Sequence, residues 1–276
     1  MPTIAEQLTQ LASIKSDIKD AIEAKGETVG NDAFNTYATH IANISSGGGD
    51  NLPAFLTDTL TSLTIPSGLT KVRYGLCYGQ TALTSVTIPS GITIIENAAF
   101  YSCTGLTSIT IPEGVTTIYN DAFKLCRNLV SISLPSTLTT LKDYIFNTCS
   151  KLETLIIPNG PTVLPTGLCY GATSLNYIDI PSSVTELKNQ VLYSTLSLKT
   201  IICRATTPPI TSNQTFGNSI YTYTGRNNYN QGINKLYVPQ GCSTAYNTSY
   251  WASVLLDATK CGFTIAELDA NGNIPT

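Results

Sequence analysis

A proline at every twenty-third position constrains this chain more than any other feature. Pro66, Pro89, Pro112, Pro135, Pro158 and Pro181 keep that step without a slip. Three apolar columns keep it too: Leu83, Leu106, Leu129, Leu152, Leu175 and Leu198; Leu63, Val86, Ile109, Ile132, Leu155, Ile178 and Ile201; Ile65, Ile88, Ile111, Leu134, Ile157 and Ile180. Such a period marks stacked repeats, because one unit cannot bury its own apolar face and its neighbours must supply the opposite wall. In the unit LTSITIPEGVTTIYNDAFKLC (Leu106 to Cys126), the Leu-x-x-Ile-x-Ile stretch alternates apolar and polar residues, which predicts a half-buried strand. Pro112 ends it, having no N–H to give to a ladder. Val115 and Ile118 begin a second inward-facing segment, and Ala122, Phe123 and Cys126 close the coil at turn spacing. Six or seven parallel coils about 4.8 Å apart predict a rod about 30 Å long plus its caps.

The columns also explain the cysteines. Cys103, Cys126 and Cys149 share one column with Gln80, Ala172 and Thr195, while Cys77 and Cys169 share the column of Phe100, Phe123 and Phe146. Free cysteine behaves as a small buried hydrophobe, so structural thiols are expected rather than bridges. The one histidine, His40, lies outside the repeats and no Cys-x-x-Cys occurs, so neither a metal site nor a cofactor is expected. A net charge of −3, with only 12% charged residues, gives no basic patch for nucleic acid or an anionic membrane. No stretch approaches the roughly 20 apolar residues of a membrane span.

The segment LTSITIPEGVTTIYNDAFKLCRNL resembles the BspA-like (Treponema pallidum type) leucine-rich-repeat family, and the resemblance runs from about Leu60 to Ile202. It implies a β-rich leucine-rich-repeat solenoid over residues 52–204 and a role in surface adhesion or interaction rather than catalysis. Residues 205–276 then read as a C-terminal cap with a Tyr-rich insertion. Ala205-Thr-Thr-Pro-Pro209, Lys235-Leu-Tyr-Val-Pro239 and Ser243-Thr-Ala-Tyr246 through Trp251 look like the end cap such proteins carry.

Residues 1–44 belong to something else. Ile4, Leu8, Leu11, Ile14, Ile18 and Ile22 follow steps of three and four, the stripe of an amphipathic helix. Gly26 and Gly30 break it, and a second short helix is expected from Asp32 through Phe34, Tyr37, Ile41 and Ile44. Residues 45–51 are a Gly/Ser linker. One narrow-striped helix does not form a domain alone, so it is expected to oligomerise or to attach to a larger assembly. The segment from Ile14 to Ile44 resembles a module of bacteriophage tail, fibre and other virion proteins. Met1 to Lys25 lacks the basic start and apolar run of a secretory signal, which suits a virion assembled in the host cytoplasm.

No nucleophile motif, phosphate loop or histidine base is present. Acid pairs such as Glu113 with Asp121 or Asp179 with Glu186 are scattered turn and strand-face residues, and no enzyme activity is expected. Asp269-Ala-Asn-Gly-Asn273 has half of a calcium loop but lacks the later bidentate Glu, and is expected to be a polar turn. Binding is the better prospect. Outward strand positions form hydroxyl rows at Ser85/Thr87, Ser108/Thr110 and Ser131/Ser133, then turn bulkier at Thr154/Ile156, Tyr177/Asp179 and Thr200/Ile202. After Pro209 the period breaks into an insert carrying Tyr221, Tyr223, Arg226 and Tyr229, side chains of the kind that paratopes use. Together with Tyr177 and Asp179 these are the candidate ligand-binding residues. The sequence therefore predicts a non-enzymatic virion fibre or capsid/tail appendage that meets host glycan or protein. Its partners would be its own copies, as a homotrimer, and other virion proteins. The alternatives are a bacterial cell-surface or secreted adhesin and, with least support, a glycan-degrading spike.

Overall fold

The computed structural model describes residues 60–65, 67–212, 214–216, 234–251 and 263–275. Each coil contributes one longer and one shorter strand. They alternate as β1 (Ser62–Thr64), β2 (Lys71–Val72), β3 (Ser85–Thr87), β4 (Ile94–Ile95), β5 (Ser108–Thr110) and β6 (Thr117–Ile118). Next come β7 (Ser131–Ser133), β8 (Thr140–Leu141), β9 (Thr154–Ile156), β10 (Val163–Leu164), β11 (Tyr177–Ile180) and β12 (Glu186–Leu187). The series ends with β13 (Thr200–Cys203), β14 (Ile210–Thr211), β15 (Lys235–Val238), a short helix α1 (Ser243–Asn247) and β16 (Thr264–Glu267).

All pairings are parallel, and the step is the one the prolines set: Ser62 lies beside Ser85, Ser108 beside Ser131, Tyr177 beside Thr200. The short strands stack as a second face, with Val72, Ile95, Ile118 and Leu141 in one file. The period breaks at the end: Thr200 pairs with Lys235, and Lys235 with Thr264. The fold is the leucine-rich-repeat solenoid the columns predict. The helices proposed for residues 1–44, with Ile4, Leu8, Leu11, Ile14, Ile18 and Ile22, lie outside the described residues.

The columns read in the sequence are the core. Leu83, Leu106, Leu129, Leu152 and Leu175 are wholly buried, and a file of Phe100, Phe123 and Phe146 is stacked, with centroids 5.2 and 5.9 Å apart. Six of the described cysteines are buried free thiols. Cys103, Cys126 and Cys149 each donate from Sγ to a carbonyl of the preceding coil, those of Cys77, Phe100 and Phe123, at 2.9 to 3.1 Å. The thiol therefore serves as packing atom and weak donor at once. At the other end, Trp251 Nε1 donates to the Pro209 carbonyl at 2.9 Å, and the indole meets Phe216 and Tyr246 edge-on. These rings cover the last coil.

The third side of each coil is a turn segment with two left-handed backbone positions four residues apart. One column holds Gly75, Ala98, Asp121, Tyr144, Gly167 and Gln190, and the other Gly79, Ser102, Leu125, Thr148, Gly171 and Ser194, all with φ between 52° and 74°. The first and fifth coils use glycine at both; the others hold L-residues in a conformation that costs about 1–2 kcal/mol. Glycine's own entropic penalty of about 0.5–1 kcal/mol offsets part of the relief. Ser194→Gly is therefore expected to raise stability by about 0.5–1 kcal/mol in a denaturant melt. The reverse change at Gly167 is expected to lose more, because its added methyl would run into the Tyr144 ring.

Candidate interaction face

The long strands present their alternate residues outward. In β1, β3, β5 and β7 these are Ser62/Thr64, Ser85/Thr87, Ser108/Thr110 and Ser131/Ser133, all exposed, with the intervening residue turned inward. Parallel registry sets like hydroxyls one strand spacing, about 4.8 Å, apart within β1 and β3 and again within β5 and β7, which are two separate two-stranded ladders in successive coils. β9 ends the plate with exposed Thr154 and with Ile156 at 57% exposure.

The plate stops at β11. Tyr177 and Asp179 occupy the outward positions, as the alternation requires, but they do not face open solvent. Asp179 is 6% exposed and accepts a bidentate pair from Arg204, Nε to Oδ1 and Nη2 to Oδ2, both at 2.8 Å. Arg204 Nη1 goes on to donate to the Gly272 carbonyl at 2.8 Å. Ile202, Tyr237 and Leu268 form a second small apolar cluster here, with Tyr177 and Ala266 packed against it. The bulkier residues of the later coils thus serve packing. Tyr177 and Asp179, the candidate ligand contacts on the strands, thus have structural partners of their own, supplied in part by the chain after β16.

Burial, and after it the Asp179 carboxylate, push the Tyr177 phenol up, and the hydrogen-bonded Asp179 holds the Arg204 guanidinium up. Asp179→Ala leaves that guanidinium half-buried without its carboxylate. Because Arg204 keeps 38% of its side chain exposed, the expected loss is about 1–3 kcal/mol, below that of a fully buried pair. A spectrophotometric titration should show the Tyr177 phenol ionising at lower pH in that variant.

The other singled-out groups have structural partners. Glu113 accepts from Ser136 N and Oγ and from Thr137 N of the next coil, while Asp121 pairs with Lys124 at 3.0 Å. Glu186 lies in β12, on the short-strand face, and is not brought to Asp179. Asp269 Oδ1 accepts the backbone N–H of Asn271 and Asn273, at 2.9 and 2.8 Å, so the polar turn uses up its carboxylate. Those bonds hold Asp269 below the usual carboxylate range. The depressed value means its contribution is present above that range and lost as pH falls, so the 269–273 turn is expected to loosen first in acid, read by amide exchange. No group of three or more His, Cys, Asp or Glu side chains arranged to hold a metal occurs among the described residues. Tyr221, Tyr223, Arg226 and Tyr229 lie outside the described residues.

Sequence reasoning passed over a second surface. Tyr78, Tyr101, Lys124, Asn147, Tyr170 and Tyr193 form one file on the turn side, one per coil and in the same step as the prolines. The signal was visible as a tyrosine directly after the buried Phe/Cys/Leu column in four of six coils.

A model of the BspA type leucine rich repeat region matches the chain in six copies, over residues 18–107, 50–168 and 93–223. Among solved structures the chain is similar to the T. pallidum leucine rich repeat protein, with 26% identity over 52% of this chain and 69% of that one, at a TM-score of 0.50. It is also similar to a leucine-rich repeat protein from Eubacterium ventriosum, at 24% identity, 56% and 38% coverage and a TM-score of 0.40. A third is the pneumococcal vaccine antigen PcpA, at 19% identity, 73% and 45% coverage and a TM-score of 0.47. The chain thus spans less than half of the latter two proteins. No curated protein matches it.

Proposed function

The chain belongs to the BspA-type leucine-rich-repeat family, and from that premise we propose that it is a non-enzymatic adhesion protein. Its hydroxyl plate, Ser62 to Ser133, would be the contact face. The carrying observation is that face: an uncharged array of exposed hydroxyl donors and acceptors at the outward positions of the long strands of four successive coils, β1, β3, β5 and β7. Such a surface suits a ligand that is itself uncharged and rich in hydroxyls, which is the chemistry of a neutral host glycan. Ile156, exposed at the plate's edge, would add an apolar contact.

Between a bacterial cell-surface or secreted protein and a virion appendage, the first is favoured. The family match and the T. pallidum likeness draw on bacterial leucine-rich-repeat proteins, whereas the virion reading rests on the pattern in residues 1–44. No helix among the described residues is long and apolar enough to cross a membrane.

A glycan microarray probed with the whole chain tests the proposal. Thr87→Lys/Thr110→Lys should abolish the array signal of the wild type while melting normally, because two long cations interrupt both neighbouring rungs. An array signal unchanged in this variant would remove the plate from consideration and return attention to residues 217–233.

A further inference from the structure

The tyrosine file on the turn side is a different surface from the hydroxyl plate, and its order carries information. Read along the rod, its six rungs are Tyr78, Tyr101, Lys124, Asn147, Tyr170 and Tyr193. Tyr78 and Tyr101 are stacked with centroids 4.6 Å apart and planes 1° apart; Tyr170 and Tyr193 repeat this at 4.9 Å and 2°. Lys124 sits between, its Nζ 5.8 Å from the Tyr101 ring and 5.6 Å from that of Tyr144, and is held by Asp121. Tyr78 is exposed and Tyr101, Tyr170 and Tyr193 are half-buried; Tyr74 and Tyr119, four and five residues before rungs of the file, are also exposed.

Solvated turns have no need of an aromatic side chain repeated at one surface position in four coils. The rings are already stacked, so little side-chain freedom is left to lose on contact, the property that makes tyrosine an efficient interface residue. A sugar would need an open ring face, and in both pairs the rings cover each other. Local charge is neutralised within the chain, Lys71 by Glu96 and Lys124 by Asp121, so a strongly charged partner has nothing to meet.

One occupant fits the rung order. The file reads Tyr-Tyr-Lys-Asn-Tyr-Tyr, which is nearly the same in both directions. We propose that it is a self-association surface, on which a second copy of this chain docks antiparallel. A two-fold axis across the rod places the first rung against the sixth, so Tyr78 faces Tyr193, Tyr101 faces Tyr170, and Lys124 faces Asn147, which can accept its hydrogen bond. Such an interface is isologous, each contact occurring twice. Side-by-side parallel docking instead sets Lys124 against Lys124. Rung spacing also selects a second copy, because only a partner with the same step stays in register over all six rungs.

Sedimentation velocity of the full chain from about 1 to 200 µM tests this. A monomer–dimer equilibrium is expected, with its dissociation constant raised at least tenfold by Tyr101→Ser/Tyr170→Ser in protein that still melts cooperatively. A chain that stays monomeric throughout overturns the proposal, as does a dimer or trimer indifferent to those substitutions, which would place association elsewhere. Orientation is read separately by a short bis-maleimide and mass spectrometry. Mixing Lys124→Cys with Asn147→Cys should give a 124–147 cross-link between copies that neither variant gives alone. Efficient 124–124 linkage by Lys124→Cys alone would overturn the antiparallel arrangement. A wild type that stays monomeric, with Tyr101→Ser/Tyr170→Ser losing glycan-array binding, would assign the file to a glycan instead. The hydroxyl-plate variant should leave the dimer untouched, so the two surfaces fail or stand independently.

Discussion

Between pH 8 and pH 10 the solenoid is expected to lose on the order of 5 kcal/mol and unfold in one step. Five core thiols drive this. Burial pushes Cys77, Cys149 and Cys169 above the ordinary thiol value of 9.0, and Cys203 up to about 11. For Cys103 the first cause is its contact with the Cys126 side chain, followed by burial. A raised value in the folded chain means that the thiol's contribution is fully present below the unfolded value. It is lost as pH rises, because only the unfolded chain gives up its proton. One pH unit above 9.0 that loss is on the order of 1 kcal/mol for each thiol, and the five act in the same direction. Domains of this kind hold about 5–15 kcal/mol in all. Far-UV circular dichroism should therefore show a cooperative transition at about pH 10. Iodoacetamide should modify the six buried cysteines only above it. Cys103→Ala/Cys149→Ala, which copies Ala172 of the same column, should move the transition to higher pH. A flat signal to pH 11 would mean that the thiols are solvated.

The second large effect is expected at Phe123. Its ring is wholly buried and stacked on both sides, against Phe100 and Phe146. Truncation to alanine leaves a cavity in the middle of a one-dimensional stack, where the neighbouring coils are fixed by their ladders and cannot close it. Phe123→Ala should cost about 3–5 kcal/mol in urea. Phe123→Leu should cost less than about 1.5 kcal/mol, since Leu192 fills the same column in another coil. Equal losses for the two would show that the column responds to aromatic stacking rather than to volume.

The sequence exposes whatever repeats once per coil. The proline step, the apolar files and the buried thiols all follow from stacking identical coils, and a local pattern suffices to find them. The left-handed turn columns left a trace only in Gly75, Gly79, Gly167 and Gly171; four other coils fill the same positions with ordinary residues. Tyr177 and Asp179 differ in kind. Alternation gives their side of the strand correctly, but what lies over them, Leu268 and the Gly272 carbonyl, comes from far along the chain. No period reports a contact of that kind. The tyrosine file went unseen because the buried columns beside it explained the period without it.

Whether this solenoid works as an adhesion scaffold turns on where it is displayed. Antibody labelling of intact cells of the source organism, compared with lysed cells, measures that directly. Labelling of intact cells, abolished by brief protease treatment from outside, is the expected result. Signal confined to lysates, or found instead on purified phage particles, would contradict a bacterial surface role and restore the virion reading.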